Sequence, residues 1–425
     1  MNIGMISLGC DKNRVDSENM LYLIKNAGHT LCDDAENADI VIVNTCAFIN
    51  DAKKEAIDTI LEMASLKEKK LKKLIVTGCF AERYGKIADM PEVDLFLDIK
   101  EEKNIVDHIA MLCGEETPYC PSVGRILTTP AHYAYLKIAD GCNNRCAFCA
   151  IPFIRGAYVS TPIEELVKEA KTLLNNGVKE IILVAQDTTN YGMDLYKERR
   201  LKDLLCELVK LDFWKIRLLY TYPELIDDEL LELIAKEDKI AKYLDIPMQH
   251  IDNNILKKMN RRSSEESLRS LILHIRKKCP QIAVRSTFIV GFPYEQEVEH
   301  QKLLDFIDGA VDYAGFFIYS PEEDTKAFEY PKGVNKNVAE RWQTKLEKMQ
   351  CATTSNKQAK YVNTIQEVIY EGIDYDKQCF YGRTQFQAPQ IDTKVFFTSE
   401  FPLEIGNIYN VFIDYADFNL SGKTV

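Results

Sequence analysis

Apolar and polar positions follow two different rhythms along this chain, and the change between them marks its parts. Short apolar runs of strand length at residues 3–8, 39–44 and 74–77 alternate with amphipathic stretches at 16–26, 52–66 and 101–112. Buried strands separated by helices imply a parallel sheet covered by helices. Residues 115–122 interrupt this with Pro118 and Pro121 and read as a linker. From Tyr133 the rhythm resumes, with strand candidates at 133–138, 180–184, 215–220, 243–246, 283–289 and 313–318 and helical patterns at 163–175 and 265–278. Six strands predict an open or partial (βα)6 barrel, whose chemistry belongs at the C-terminal strand ends. A long polar helix over 338–360 ends this region. The runs 366–371, 394–398 and 408–415 then predict a small antiparallel β-barrel. The expectation is an α/β chain with domains at 1–120, 128–357 and 358–425.

Composition sharpens the class. Of 425 residues, 46% are hydrophobic and 28% charged, as in a globular protein of two or three domains. No apolar run approaches the ~18 residues of a membrane span. The first five residues lack a basic region and read as a strand, not an export signal, so a cytoplasmic protein without a membrane partner is expected. A net charge of −12 argues against loose binding to nucleic acid. Thirteen cysteines, an odd number, point to a reducing compartment and to thiolates that are ligands or free.

Two cysteine sets stand out. Cys142, Cys146 and Cys149 form C-x-x-x-C-x-x-C just after the first barrel strand, in its first βα loop. Thiolates hold iron–sulfur cubanes, and three ligands leave one iron open to an external molecule. A structural zinc would want a fourth ligand, but Cys120 lies in the linker and His132 precedes the strand, at the opposite end of the barrel. Cys10, Cys46 and Cys79 each follow an apolar strand by a residue or two, 36 and 33 residues apart. In an open parallel sheet, ligands bind just beyond the carboxyl ends of the strands, so these three can converge on a second cluster. Gly9 and Gly78, immediately before two of them, would let the backbone come close. The other seven cysteines share no spacing and are assigned no role.

The C-x-x-x-C-x-x-C spacing, with an aromatic residue before the last cysteine, resembles the radical S-adenosylmethionine (SAM) superfamily. That resemblance implies SAM chelated by the open iron, a 5′-deoxyadenosyl radical, and Phe148 packed beside the cluster or the adenine. The whole chain resembles the methylthiotransferases, in the branch that modifies an aspartate of a ribosomal protein. The similarity is carried by Ser7-Leu8-Gly9-Cys10-Asp11-Lys12-Asn13-Arg14-Val15-Asp16-Ser17-Glu18, by Val184-Ala185-Gln186-Asp187-Thr188-Thr189 and by Tyr243-Leu244-Asp245-Ile246-Pro247-Met248-Gln249-His250. Gly382-Arg383 followed by Ala388-Pro389-Gln390-Ile391-Asp392 adds to it. The resemblance implies two [4Fe–4S] clusters, a TRAM-like C-terminal barrel, and methylthiolation of the β-carbon of an aspartate in the decoding-site protein of the small ribosomal subunit. It also implies an electron donor such as flavodoxin or ferredoxin. No side-chain acid or base is expected to be catalytic; the clusters do the chemistry.

For SAM, the strand-end residues Gln186 and Gln249 and the strand residue Arg285 are the candidates. A buried arginine needs a carboxylate, which the SAM carboxylate or a nearby acid would supply. Tyr294 and Asp324 stand where this family would be expected to have glycine, and Ser160-Thr161-Pro162 lacks an expected arginine. The rival substrate is adenosine in transfer RNA. Residues 358–425 carry five basic and nine acidic residues, whereas an RNA-docking module should be basic. A basic ribosomal protein is therefore the expected partner, not transfer RNA. A non-enzymatic iron–sulfur scaffold would not need six barrel strands with polar ends.

Overall fold

A computed structural model describes residues 1–116 and 124–425; Pro118, Cys120 and Pro121 of the expected linker lie outside the described residues. The chain forms two compact units. One comprises Met1–Pro130, Tyr135–Val159 and Ser320–Phe328, the other Ala131–Ala134, Ser160–Tyr319 and Glu329–Val425.

The first unit is built on a five-stranded sheet of β1 (Asn2–Ser7), β2 (Thr30–Cys32), β3 (Ile40–Thr45), β4 (Lys73–Gly78) and β5 (Leu95–Phe96), in the order β2-β1-β3-β4-β5. All pairs are parallel. Helices α1 (Asp11–Asn26), α2 (Asn50–Ser65), α3 (Cys79–Tyr84) and α4 (Ile105–Cys113) follow its strands. Successive strand residues point to opposite faces, so Val41, Val43, Leu74 and Val76 pack on Ala56, Ile60 and Phe80, while Ile40, Ile42 and Ile75 pack on Met20, Ile24 and Ile109. Each of these side chains larger than alanine stabilises the fold by about 1.5–3 kcal/mol. The helix expected over 101–112 begins as a 3₁₀ turn, Ile99–Asn104, before α4. Within that turn Glu102 is buried, its Oε1 accepting from Thr77 Oγ1 at 2.9 Å.

The second unit holds a parallel sheet. Its strands are β6 (Tyr133–Lys137, of which Tyr133 and Ala134 belong to this unit), β7 (Glu180–Val184), β8 (Lys215–Leu218), β9 (Ile240–Asp245), β10 (Ala283–Val290) and β11 (Tyr313–Ile318). The order is β11-β10-β9-β8-β7-β6, the open six-stranded arrangement that the strand count predicts. β8 stops at Leu218, short of the expected Tyr220, because Tyr220 is left-handed at φ 60°. The helices at Ile163–Asn175 and Glu265–Lys278 match their sequence signals. The latter starts with a Ser264–Ser267 capping box and ends in Arg276, Lys277 and Lys278, which suit the helix dipole.

After the helix Lys336–Gln358, five strands close into a barrel: β12 (Thr364–Asp374), β13 (Cys379–Arg383), β14 (Val395–Thr398), β15 (Ile408–Ala416) and β16 (Leu420–Thr424), in the order β12-β13-β14-β16-β15. The expected antiparallel barrel has one parallel pair, β14 with β16. Five strands force this, because directions cannot alternate all the way around an odd-numbered ring. No helix among the described residues is long and apolar enough to cross a membrane.

Buried charges join this barrel to the sheet. Glu180, at the start of β7, pairs with Arg217 at 2.8 Å and with Arg383 of β13. Arg383 Nε also donates to Glu371 at 2.8 Å, and Glu371 lies 3.2 Å from His132 Nε2. Burial alone would push the Glu180 carboxyl up, but the Arg383 and Arg217 guanidiniums outweigh it and hold it below its ordinary value. Removing one member of such a set strands the rest. Arg383→Met should therefore cost about 3–5 kcal/mol, read as a melting temperature lowered by several degrees. Adding Glu180→Gln and Glu371→Gln should recover part of the loss. An unchanged melt would show that the network does not hold the barrel.

Candidate functional site

In the first unit β1, β3 and β4 lie side by side, and the residues just past their ends carry the three cysteines. Cys10 is the N-cap of α1, Cys46 follows β3, and Cys79 opens α3. Asn13 sits among them. Its Oδ1 is 3.9 Å from Cys10 Sγ and 3.7 Å from Cys79 Sγ. A Cβ on Gly9 (φ 91°) would lie 2.7 Å from Cys46 Cβ, and one on Gly78 (φ 84°) 2.2 Å from Asn44 Oδ1. Both positions therefore need glycine so that the strand ends can draw together.

Cys10 is exposed; Cys46 and Cys79 are buried. Burial pushes the Cys46 thiol up and the Cys79 thiol up to about 12, opposed at Cys79 by the Arg155 guanidinium. Thiols held this way become thiolates when a metal takes the proton's place.

Cys142, Cys146 and Cys149 are half-buried in the same unit. The Cys142 amide donates to Gly156 O at 3.1 Å and the Cys149 amide to Cys146 O at 3.1 Å, which folds the loop on itself. Phe148 is half-buried within this loop. At its base, Asp140 accepts from Arg155 at 2.6 Å and from Lys137 at 3.1 Å. Burial would raise the Asp140 carboxyl, but Lys137 and Arg155 outweigh it and hold it well below the usual carboxylate range.

Among the described residues no three His, Cys, Asp or Glu side chains close around a single ion. An iron–sulfur cubane is several times wider than one ion, so its ligand sulfurs stand further apart. The donor chemistry of both triplets, three thiols each with no disulfide, fits such a group.

Sequence reasoning passed over the polar residues between the triplets, Asn13, Asp16, Lys137, Asp140 and Arg155. A signal existed: Arg155 is the one charge between Ala147 and Gly156.

The strand-end candidates lie in the second unit. Gln186 is half-buried just past β7. Gln249, past β9, is left-handed at φ 72° and bridges to β10, its amide donating to Thr287 O at 2.8 Å. Asp187 caps the 3₁₀ turn Thr188–Asn190, accepting from the Asn190 amide. Arg285 has carboxylate partners within the protein: Asp245 at 3.1 Å and Asp392 at 3.4 Å, with Tyr243 Oη donating to Asp392 at 2.7 Å. Burial opposes the Arg285 charge, but Asp245 leads the groups that hold its pKa above the usual range. The nearby acid weighed for Arg285 is present twice, as Asp245 and Asp392.

His250 is fully buried. Its Nδ1 accepts from the Asp252 amide at 3.0 Å, which leaves Nε2–H to face Glu295 at 3.4 Å. The other Glu295 oxygen accepts from the Gly291 and Phe292 amides at 2.6 and 3.1 Å and clasps the loop that carries Tyr294.

Tyr294 and Asp324, the two residues found where glycine was expected, are left-handed at φ 76° and 66°. The backbone there keeps a glycine conformation under a different side chain. Tyr294 offsets its strain with Tyr330, 5.6 Å away ring to ring, and with the Lys258 ammonium 4.4 Å above its own ring.

An open six-stranded α/β sheet with a C-x-x-x-C-x-x-C loop after its first strand defines a class, the radical SAM superfamily, and residues 136–307 match it directly. Such enzymes work with SAM and a [4Fe–4S] cluster. Residues 2–98 match uncharacterized protein family UPF0004, and residues 363–425 match the TRAM domain.

The chain is 43% identical to the ribosomal protein uS12 methylthiotransferase RimO of Caldicellulosiruptor saccharolyticus, over 100% of both chains. It is 42% identical to that of Acetivibrio thermocellus over 100% of this chain and 98% of the relative. For Pelotomaculum thermopropionicum the figures are 44%, 100% and 99%. The chain belongs to the ribosomal protein uS12 methylthiotransferase family.

Among solved structures, the radical SAM methyltransferase TsrM from Kitasatospora setae, with cobalamin and a [4Fe–4S] cluster bound, gives a TM-score of 0.57 at 13% identity, covering 86% of this chain and 80% of its own. The cobalamin-dependent enzyme OxsB gives 0.51 at 12%, covering 82% and 56%. At such identities the likeness is one of fold.

Left-handed φ costs a non-glycine residue about 1–2 kcal/mol, part of which glycine returns through the entropy of its unfolded chain. The exposed Asp324 should thus gain about 0.5–1 kcal/mol on Asp324→Gly and lose on Asp324→Val, measured by denaturant unfolding. The opposite order would refute the strain.

Proposed function

We propose that this chain is a radical-SAM methylthiotransferase that places a methylthio group on the β-carbon of an aspartate in ribosomal protein uS12. The observation that carries the reading is the match to uS12 methylthiotransferases over the whole chain, C-terminal barrel included. On this reading Cys142, Cys146 and Cys149 hold the [4Fe–4S] cluster that binds SAM, and Cys10, Cys46 and Cys79 hold a second. The bound groups supply the radical that removes an unactivated hydrogen, the sulfur and the methyl group. The chain's own residues position and shield them. Phe148 flanks the first site, while Gln186 and Gln249 offer polar strand ends to SAM. Arg285, engaged by Asp245 and Asp392, acts by fixing that end of the sheet. The described cysteines form no disulfide, in keeping with a reducing cytoplasm and a one-electron donor of the flavodoxin or ferredoxin kind.

The barrel's charge favours a basic protein over RNA. Arg383, Glu371 and Asp392 are spent on internal pairs. The remaining four lysines face seven carboxylates, and Lys377 and Lys394 lie over the rings of Phe396 and Tyr381. Two grooves mark the barrel wall, one largely apolar and one in which two carboxylates face a single lysine, Lys377. Ile373, the 82%-exposed Tyr375 and Phe380 line one, and Asp414 and Asp417 line the other. Phosphate is repelled by such a surface, and Lys- and Arg-rich protein is attracted.

The test incubates reconstituted enzyme, reductant, sulfide and SAM with uS12 or with transfer RNA, and reads the products by mass spectrometry. Methylthiolated uS12 aspartate is expected, with binding that weakens as salt is added. Asp376→Lys with Asp414→Lys should weaken uS12 binding roughly three- to tenfold and leave substrate-free SAM cleavage intact. Methylthio-adenosine in transfer RNA beside unmodified uS12 would overturn the substrate.

A further inference from the structure

The Arg155 side chain is 2% exposed, yet its guanidinium has three polar partners drawn from distant parts of the sequence. Nη2 donates to Asn13 Oδ1 at 2.6 Å and to Asp16 Oδ2 at 3.0 Å, both on α1; Nη1 donates to Asp140 Oδ2 at 2.6 Å. Lys137 bonds the same two aspartates. Two cations thus face two anions. Glu102, the nearby acid, is pushed up to about 8, first by burial and then by Asp16.

Two consequences follow from this geometry. The first concerns the loop with Cys142, Cys146 and Cys149. Its base is closed by the Asp140–Arg155 pair and by the Cys142 amide on Gly156 O, the residue after Arg155. Asp140 also accepts from the Gly141 amide at 2.9 Å. One guanidinium therefore fixes this loop to α1.

The second concerns the other triplet. Asn13 Nδ2 is committed to Leu8 O at 3.2 Å and Thr45 O at 2.8 Å, so Oδ1 must face Cys10 and Cys79. An amide oxygen cannot donate to a thiolate, and Arg155 is the donor that satisfies it. The same guanidinium therefore stands one amide oxygen away from the Cys10 and Cys79 sulfurs. Hydrogen bonding and net charge near the ligand sulfurs set the potential of an iron–sulfur centre, and positive charge raises it.

We propose that Arg155 is a positioning residue that couples the two triplets, closing the base of the Cys142–Cys149 loop while its charge raises the reduction potential of the centre held by Cys10, Cys46 and Cys79. The inference rests on the reading of those three cysteines as cluster ligands.

The experiment uses the full chain with Cys142→Ala, Cys146→Ala and Cys149→Ala, so that only the other cluster is loaded, and titrates its potential by electron paramagnetic resonance. Arg155→Gln in that background should shift the midpoint to a more negative value at unchanged iron content, and Arg155→Lys, which keeps the charge, should stay near the parent. In the otherwise unaltered holoenzyme, hydrogen exchange at the Cys142 amide should quicken at least tenfold in both variants, because lysine lacks the fork that spans Asn13, Asp16 and Asp140. An unmoved midpoint in iron-replete Arg155→Gln would overturn the electrostatic role, and unchanged exchange in Arg155→Lys the positioning role. Should Arg155→Gln fail to fold, Arg155→Lys exchange decides the positioning role and the midpoint of Arg155→Met, which also removes the charge, decides the electrostatic one. A background protein without iron would instead refute the ligand assignment, and the inference would fall with it.

Discussion

Register in a parallel sheet is the constraint on which the candidate site depends. Ser7 pairs with Asn44 and Asn44 with Thr77, so β1, β3 and β4 run level to their C-terminal ends. Neighbouring strands are about 4.8 Å apart, so three residues just past these ends span roughly two strand spacings, about 10 Å at the backbone. Their side chains turn toward one another, with Cys10 Sγ at 3.9 Å and Cys79 Sγ at 3.7 Å from the same Asn13 Oδ1. Glycines at 9 and 78 and the amide of Asn13 complete the cradle, and a slip of one residue in any of the three strands would dismantle it.

Buried charge does a different task in each unit. Around Arg155 and Lys137 it ties the loop of one cysteine triplet to the helix beside the other. Around Glu180, Arg217 and Arg383, and around Arg285, Asp245 and Asp392, it seats the C-terminal barrel on the parallel sheet. Arg383 and Asp392 belong to segments that carried the family resemblance, yet both point inward. Those segments hold the barrel in place, and the exposed acids and the aromatic grooves are left to meet a partner.

Much of this was legible in the sequence. Long strands announced themselves by apolar runs, and three cysteines were placed correctly just past the ends of adjacent strands. Edge strands of two or three residues, such as β2 and β5, carry no period and left no trace. The parallel pair in the barrel follows from a strand count, and only three of its five strands were evident. Contacts between residues far apart in sequence were the hardest. Arg285 calls for a carboxylate, from SAM or from a nearby acid, but Asp392, more than 100 residues away, could not be singled out. Arg155 lacked any periodic setting that would have tied it to Asn13 and Asp16. Tyr294 and Asp324 looked like departures in chemistry and proved to preserve backbone geometry.

The central claim is that two separate triplets each hold a cluster, and iron content tests it most directly. Wild-type protein reconstituted without oxygen should carry about eight irons per chain, as two [4Fe–4S] clusters by Mössbauer spectroscopy. Replacing Cys10, Cys46 and Cys79 by alanine should leave about half of that iron and preserve SAM cleavage. Replacing Cys142, Cys146 and Cys149 should leave a similar amount and abolish cleavage. Full iron in the protein lacking Cys10, Cys46 and Cys79 would contradict the account.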